Sequence, residues 1–101
     1  MDYHKILSNA WHQSQFATTK GQPGGCARIY VCIADPEHRK GIKAAAKRLG
    51  KIYQTNAAYG LRHVLYVGYD NNTGREMAYG KALAEHLTAA GISAYQDDGM
   101  D

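Results

Sequence analysis

Two short apolar runs constrain the fold most strongly, because each leads through a turn signal into a helical pattern. The runs are ARIYVCIA, residues 27–34, and RHVLYVGY, residues 62–69. Both are rich in branched and aromatic residues, which is typical of β-strands. Both are also almost continuously apolar, which favours strands covered on both faces, as in a parallel sheet.

The first run is followed by a long segment of helical periodicity. Asp35 is a good N-cap, and Pro36 suits the first helical position. Apolar residues then recur every three or four positions, forming one apolar stripe. We therefore predict a helix over residues 36–58, with Gly60 as its C-terminal stop.

The second run is followed by a similar pattern. Thr73, with Glu76 three residues later, forms a capping box and predicts a helix over residues 73–90. The two runs echo each other, as IYVCIAD and LYVGYDN, and we interpret them as two similar β-α units. Two further elements are predicted, a helix over 3–18 and a short strand over 92–96.

Strands that alternate with helices predict an α/β fold with a parallel sheet. We expect an α-β-α-β-α-β order around a small, mainly parallel, three-stranded sheet, with the helices packed on it. The 101 residues suit a single domain. It comprises an N-terminal helix within 1–20, a β-α-β-α-β core over 26–97 and an acidic tail over 98–101. One alternative stays open, because DNNTG also suits a hairpin turn: a strand over 75–80 would then give a ferredoxin-like α+β fold.

Each predicted strand ends at an aspartate. Asp35, Asp70 and Asp97 would share one edge of the sheet, because the carboxyl ends of parallel strands meet there. Magnesium prefers such oxygen ligands, so the sequence predicts a candidate magnesium site. Asp70 is the best ligand, because Thr73 would cap the following helix. An Asx-turn at Asp70 is the structural alternative.

The segment VGYDNNTGREMAYGKALAEHLTAAGI resembles the second half of a TOPRIM domain, the metal-binding fold of primases, topoisomerases and some nucleases. The resemblance rests on a strand that ends in an acid, a following glycine and an Ala- and Leu-rich helix, with Asp70 and Gly74 at matching positions. The family's second acid is an asparagine here, and its catalytic glutamate has no counterpart. The resemblance implies a metal-dependent phosphoryl-transfer or nuclease enzyme.

The shorter segment LYVGYD is similar to the first RNA-contacting strand of RRM domains, in which aromatic side chains stack on bases. This resemblance implies a base contact at Tyr66. We identify no companion motif elsewhere in the sequence. The alternative is an ordinary sheet tyrosine with an apolar ring and a polar hydroxyl group.

Basic residues and tyrosines indicate contact surfaces. The net charge of +3 is mild, but six of the twelve basic residues lie from Arg39 to Lys51, opposite the apolar stripe of the predicted helix. They predict contact with phosphates or an acidic protein surface, with a solvated helix exterior as the alternative. Eight tyrosines are more than a small core can hide, which indicates tyrosines at an interface, with ordinary amphipathic packing as the alternative. The predicted contact residues are Arg39, Lys40, Lys43, Lys47, Arg48, Lys51, Tyr59, Tyr69 and Tyr79.

The remaining features favour a cytoplasmic binding protein. No apolar run approaches the roughly 18 residues of a membrane span, and no signal-peptide pattern is visible. Cys26 and Cys32 flank one strand and are too far apart for a disulfide, and no complete catalytic set is present.

We expect a small non-enzymatic binding or inhibitor-type protein that engages a protein or a nucleic acid. Phages and plasmids encode inhibitors of this size, anti-CRISPR proteins among them. No cofactor is expected other than the candidate magnesium ion, and no membrane partner. A homodimer is compatible with the open edge of a short third strand.

Overall fold

The structure, a computed structural model, describes residues 1–17, 26–56 and 62–99. Within these ranges no helix is long and apolar enough to cross a membrane. The elements in chain order are α1 (Tyr3–Ser14), β1 (Cys26–Ile33), α2 (Pro36–Arg48), β2 (Tyr53–Asn56), β3 (Arg62–Asn71), α3 (Arg75–Ala89) and β4 (Ala94–Gly99). The predicted bounds of β1, β3 and α3 are correct to within two residues.

The four strands form one sheet in the order β2-β3-β1-β4. Every neighbouring pair is antiparallel, and the two central strands β1 and β3 place Val31 opposite Leu65. From β1 onward the chain follows a β-α-β-β-α-β path with β1 and β3 in the centre, which is the ferredoxin-like connectivity. The fold is therefore α+β, with α1 added before this unit.

The predicted parallel three-stranded α/β sheet is wrong, and the error begins at the end of α2. This helix ends at Arg48. Two residues later, Gly50 adopts a left-handed φ of 71°. The N–H groups of Gly50 and Lys51 donate to the carbonyls of Lys47 at 3.2 Å and Ala46 at 2.8 Å. This pair of bonds is a Schellman turn, which closes a helix at a glycine. The chain then forms β2, an additional strand that reverses the direction of β3 relative to β1.

The ferredoxin-like alternative has the observed connectivity but places the hairpin in the wrong part of the chain. It required a strand over residues 75–80, which instead form the first part of α3. The chain reversal lies between β2 and β3. DNNTG is therefore a strand-to-helix joint.

The three helices of the described residues lie on the same side of the sheet, with α1 packed against α2 and α3. Gly80 of α3 lies directly over β1, since a Cβ atom there would be only 2.7 Å from Cγ2 of Ile29. Gly41 of α2 allows a similar approach to the ring of Tyr3 in α1. Burying one large aliphatic side chain in such a core contributes about 1.5–3 kcal/mol. The buried core cluster comprises Leu7, Ala10, Val31, Ile33, Ile42, Ala45, Ala46, Leu65, Leu83, Ala84, Leu87 and Ile92.

Candidate functional site

Asp70, which the sequence predicts as the best metal ligand, is the structural cap of α3. The residue is fully buried. Its Oδ1 accepts hydrogen bonds from the backbone N–H groups of Thr73 and Gly74, both at 2.9 Å, and its Oδ2 accepts one from Met77 at 3.1 Å. Thr73 does contribute to the cap, since its Oγ1 accepts a hydrogen bond from the N–H group of Arg75 at 3.2 Å, but the expectation that Asp70 would be left free is wrong. The hydrogen bonds explain why an aspartate stands at this joint.

The hydrogen bonds also determine the charge state of Asp70. Burial raises the pKa of its carboxyl group, but the N–H groups of Gly74, Met77 and Thr73 lower it by more, with help from the Thr73 hydroxyl. The net result is a pKa below the ordinary value for an aspartate. The carboxylate is thus held ionised by the start of α3.

The three aspartates predicted to bind magnesium do not meet at one edge. Because β1 and β3 are antiparallel, Asp35 and Asp70 lie at opposite ends of the sheet. Asp97 lies away from both, opposite Tyr30. The prediction of a common edge depended on parallel strands, and it is wrong because β1 and β3 are antiparallel.

Asp35 instead belongs to a small group of side chains at the start of α2. The Nε2 atom of His38 lies 3.5 Å from Oδ2 of Asp35 and 3.6 Å from Oε1 of Glu37. A hydrogen bond of 2.8 Å joins Nδ1 of His38 to the hydroxyl of Tyr3. The ligand atoms of Asp35, Glu37 and His38 lie within 4.8 Å of one another, a spacing at which they can hold a metal ion.

The six predicted basic contact residues divide into two groups. Nε of Arg39 donates to the carbonyl of Ile33 at 3.0 Å, so this side chain secures the turn after β1. The ammonium group of Lys51 lies 4.5 Å from the centre of the Trp11 ring, in a cation–π contact. The remaining four are exposed on α2 in the helical layer, and we call them the basic side of α2: Lys40, Lys43, Lys47 and Arg48.

The three predicted contact tyrosines lie in different surroundings. Tyr69 is 45% exposed on β3. Tyr79 is half-buried, and its hydroxyl donates to the carbonyl of Trp11 at 2.8 Å, so it joins α3 to α1. Tyr59 lies outside the described residues. Tyr69 is therefore the member of this set that the structure places on an accessible surface of the sheet.

The second face of the sheet has a different character from the helix-covered one. On β1, Ile29, Val31 and Ile33 are buried beneath the helices. Because side chains alternate along a strand, Tyr30 and Cys32 lie on the opposite face. No helix within residues 1–17, 26–56 and 62–99 packs over that face. We call it the open face.

A β-bulge in β3 places both Tyr66 and Tyr69 on the open face. Tyr66 lies opposite Tyr30 on the open face. Val67 is an additional residue in the pairing register, and both Val67 and Gly68 face the helices. Tyr69 therefore returns to the open face, although it follows Tyr66 by three residues.

Tyrosine rings dominate the centre of the open face. The rings of Tyr30 and Tyr66 have centres 5.6 Å apart and are tilted by 56°. Tyr69 and Tyr95 lie farther out and are 45% and 50% exposed. The principal side chains of the open face are Arg28, Tyr30, Cys32, Arg62, Val64, Tyr66, Tyr69, Tyr95 and Asp97.

A polar cluster borders these rings on the β4 side. The guanidinium group of Arg62 forms an ion pair with Oδ2 of Asp97. The Sγ atom of Cys32 lies 4.0 Å from the same oxygen atom. Burial raises the pKa of the Cys32 thiol, against the lowering effect of its hydrogen bond with Tyr95. At neutral pH this free cysteine is therefore a protonated thiol, and the cluster offers hydrogen bonds rather than a nucleophile.

The sequence contained a signal for this face that we interpreted differently. The tripeptides Ile29-Tyr30-Val31 and Leu65-Tyr66-Val67 are the echo between the two apolar runs. In each, a tyrosine separates two core residues. In neighbouring antiparallel strands these tyrosines become cross-strand partners on one face.

Comparisons with protein-family models, with curated proteins and with solved structures found no match. Function is therefore inferred from the chemistry of the two accessible surfaces. The open face offers aromatic rings together with hydrogen-bonding groups. The basic side of α2 offers positive charge on the other side of the molecule.

Proposed function

We propose that the open face binds single-stranded nucleic acid by stacking bases on Tyr30 and Tyr66. The observation that carries this proposal is the pair of adjacent rings on the two central strands, with no described helix above them. Sheet-based RNA-binding modules use aromatic side chains on an exposed sheet in this way. Stacking of one base on an aromatic side chain contributes about 1–3 kcal/mol and tolerates different sequences.

The surroundings of the two rings suit an extended strand of nucleotides. Both side chains are half-buried, so a ring that is already restrained loses little freedom when a base stacks on it. Tyr69 and Tyr95 extend the aromatic surface on either side. Arg28 lies on the same face and adds positive charge, which favours a phosphate backbone, while the charge of Arg62 is balanced by Asp97.

This proposal develops the expected binding protein and favours the nucleic-acid partner over a protein. The role of the chain as a phage- or plasmid-type inhibitor stays a prediction. The alternative of a TOPRIM-like metal-dependent enzyme loses the support that it drew from a shared edge of aspartates. The basic side of α2 remains a second candidate contact surface, and the two surfaces can be separated by experiment.

The proposal is tested by fluorescence anisotropy with labelled octamers of uridine and of thymidine. The wild-type chain should bind at least one of them, and Tyr30→Ala and Tyr66→Ala should each weaken binding about tenfold, because each loses one stacking surface. The two octamers distinguish RNA from DNA as the preferred ligand. Phe16→Ala is the matched control, since Phe16 is 66% exposed next to α1 in the helical layer, and its loss should leave binding unchanged.

Two results would contradict the proposal. One is a wild-type chain that binds neither octamer at about 100 μM, the weak limit of ordinary non-specific binding. The other is a free chain that sediments as a dimer and becomes monomeric in Tyr66→Ala, which would assign the open face to a second copy of the chain.

A further inference from the structure

We propose that the Asp97–Arg62 ion pair makes the open face select guanine for the base that stacks on Tyr30. This inference rests on the proposed function, because it concerns which base the open face accepts. It gives a role to the polar cluster on the β4 side, which base stacking alone does not require.

Asp97 lies beside the place where that base would stack. It is the cross-strand partner of Tyr30 on β4, while Tyr66 is the partner of Tyr30 on β3. The Cβ atoms of directly opposed residues in an antiparallel pair are about 4.5–5.5 Å apart. A base on the Tyr30 ring therefore has another tyrosine at one side and the carboxylate of Asp97 at the other.

The carboxylate is held in place by its neighbours. Its Oδ2 atom takes the ion pair with Arg62 and lies 4.0 Å from Sγ of Cys32. Neither of these two contacts, both made by described residues, involves the other oxygen atom of the carboxylate, Oδ1. The Asp97 and Arg62 side chains are 30% and 36% exposed, so both can be reached from solvent. The open face thus presents an acceptor and a donor next to each other at a restrained position.

Guanine matches this combination best among the four bases. Its Watson–Crick edge carries two donors, N1–H and the N2 amino group, beside one acceptor, O6. The carboxylate of Asp97 can accept from the donors while the guanidinium of Arg62 donates to O6. Hydrogen bonds between charged and polar groups of this kind are stronger than neutral ones.

The other bases match less well for a simple reason. Uracil and thymine carry one donor between two carbonyl oxygens, so a carbonyl must face the carboxylate. Adenine and cytosine each offer one amino group and ring acceptors, which leaves a single donor for Asp97. A well-formed bidentate contact discriminates against a wrong base by about 1–3 kcal/mol.

The test uses octamers with a single variable base, U4XU3 and its thymidine counterpart, where X is each base in turn. The wild-type chain should bind the guanine octamer about tenfold more tightly than the unsubstituted one. In Asp97→Asn the preference should fall to less than about twofold, because asparagine presents only one acceptor oxygen and no charge. The unsubstituted octamer should bind at least as tightly as it binds the wild-type chain, since the stacking tyrosines are unchanged and Arg62 loses the carboxylate that balanced its charge.

Glu37→Gln is the matched control. It removes the same charge from a side chain that is 76% exposed at the start of α2, and it should keep the guanine preference of the wild-type chain. Thermal unfolding of both variants checks that they fold. Equal binding of all octamers by the wild-type chain would overturn the inference and leave the proposed function standing, whereas no binding of any octamer would overturn both. A guanine preference that persists in Asp97→Asn would overturn the role of the carboxylate.

Discussion

The two faces of this sheet are built from the same strands but from residues of different chemistry. Beneath the helices, β1 contributes Ile29, Val31 and Ile33, all buried. On the open face the intervening residues are Tyr30 and Cys32, and β3 adds Tyr66 and Tyr69. The difference shows that neighbouring residues of one strand can lie in different chemical surroundings, because alternate side chains point to opposite faces and the bulge in β3 shifts this alternation by one residue.

The largest difference between the two faces is expected when two neighbouring residues of β1 are replaced separately. Ile29→Ala should lower the free energy of unfolding by about 3 kcal/mol, because it leaves a cavity under α3. Tyr30→Ala should lower the free energy of unfolding by less than about 1 kcal/mol, because the main interaction that it removes is the cross-strand contact between the rings of Tyr30 and Tyr66. Urea denaturation of the two variants measures both values.

Octamer binding gives the opposite order for the same two variants. Ile29→Ala, measured under conditions where it stays folded, should keep the affinity that Tyr30→Ala loses. A larger loss of stability for Tyr30→Ala than for Ile29→Ala would show that the open face is covered in solution.

Asp70 provides the next largest effect, because it serves the helix-covered side alone. Asp70→Ala removes the acceptor of three backbone N–H groups and should cost about 2 kcal/mol of unfolding free energy. Affinity for the octamers should not change once the folded fraction is taken into account. An unfolding free energy equal to that of the wild-type chain would contradict the capping role.

The pH dependence of stability follows from the same carboxyl group. The pKa of Asp70 in the folded protein is below its ordinary value. Its contribution is therefore fully present above the unfolded-state value of about 3.9 and is lost as the pH falls through the lower, folded-state pKa. Below about pH 4 the wild-type chain should lose stability more steeply than Asp70→Asn, which binds no proton at this position. Parallel slopes in urea titrations would contradict this assignment.

The smallest effect is expected on the basic side of α2. Replacing Lys40, Lys43, Lys47 and Arg48 by glutamine should weaken octamer binding less than about twofold at 0.1 M salt, because charges farther away than about 10 Å are screened. Because the charge of Arg62 is balanced by Asp97, binding on the open face should depend weakly on salt, with log K falling against log salt at a slope of about −0.7 for each phosphate contact. A steeper slope that the four substitutions remove would instead place the nucleic acid on α2.

The elements with strong periodicity could be predicted, whereas the strand directions could not. The end of α2 was missed because Leu49, Ile52 and Tyr53 continue its apolar spacing beyond Gly50, where the backbone has already turned. β2 has four residues, too few for a two-residue alternation to be recognised. Missing one strand inverted the direction of β3 in the predicted sheet, and with it the position of Asp70 relative to Asp35.

The candidate site was predicted in part. Tyr66 was singled out from LYVGYD and Tyr69 from the surplus of tyrosines, but Tyr30 was counted as one more apolar residue in a continuous run. That count led to the expectation of a strand buried on both faces. The separation between aliphatic and aromatic positions in the two echoing runs carried the missing information, because only the aliphatic positions enter the core.

The bulge in β3 has a consequence for how this strand accommodates changes in length. In a regular ladder of the same sequence, Tyr69 would face the helices and Asp70 the open face, so the buried helix cap would be replaced by a tyrosine. This exchange does not occur because β3 contains one residue, Val67, more than its pairing with β1 requires. A homologous chain that lacked Val67 would form an uninterrupted ladder and still keep both residues on their present sides. The loss of one residue between Tyr69 and the first turn of α3 would instead displace the cap from the N–H groups that it serves.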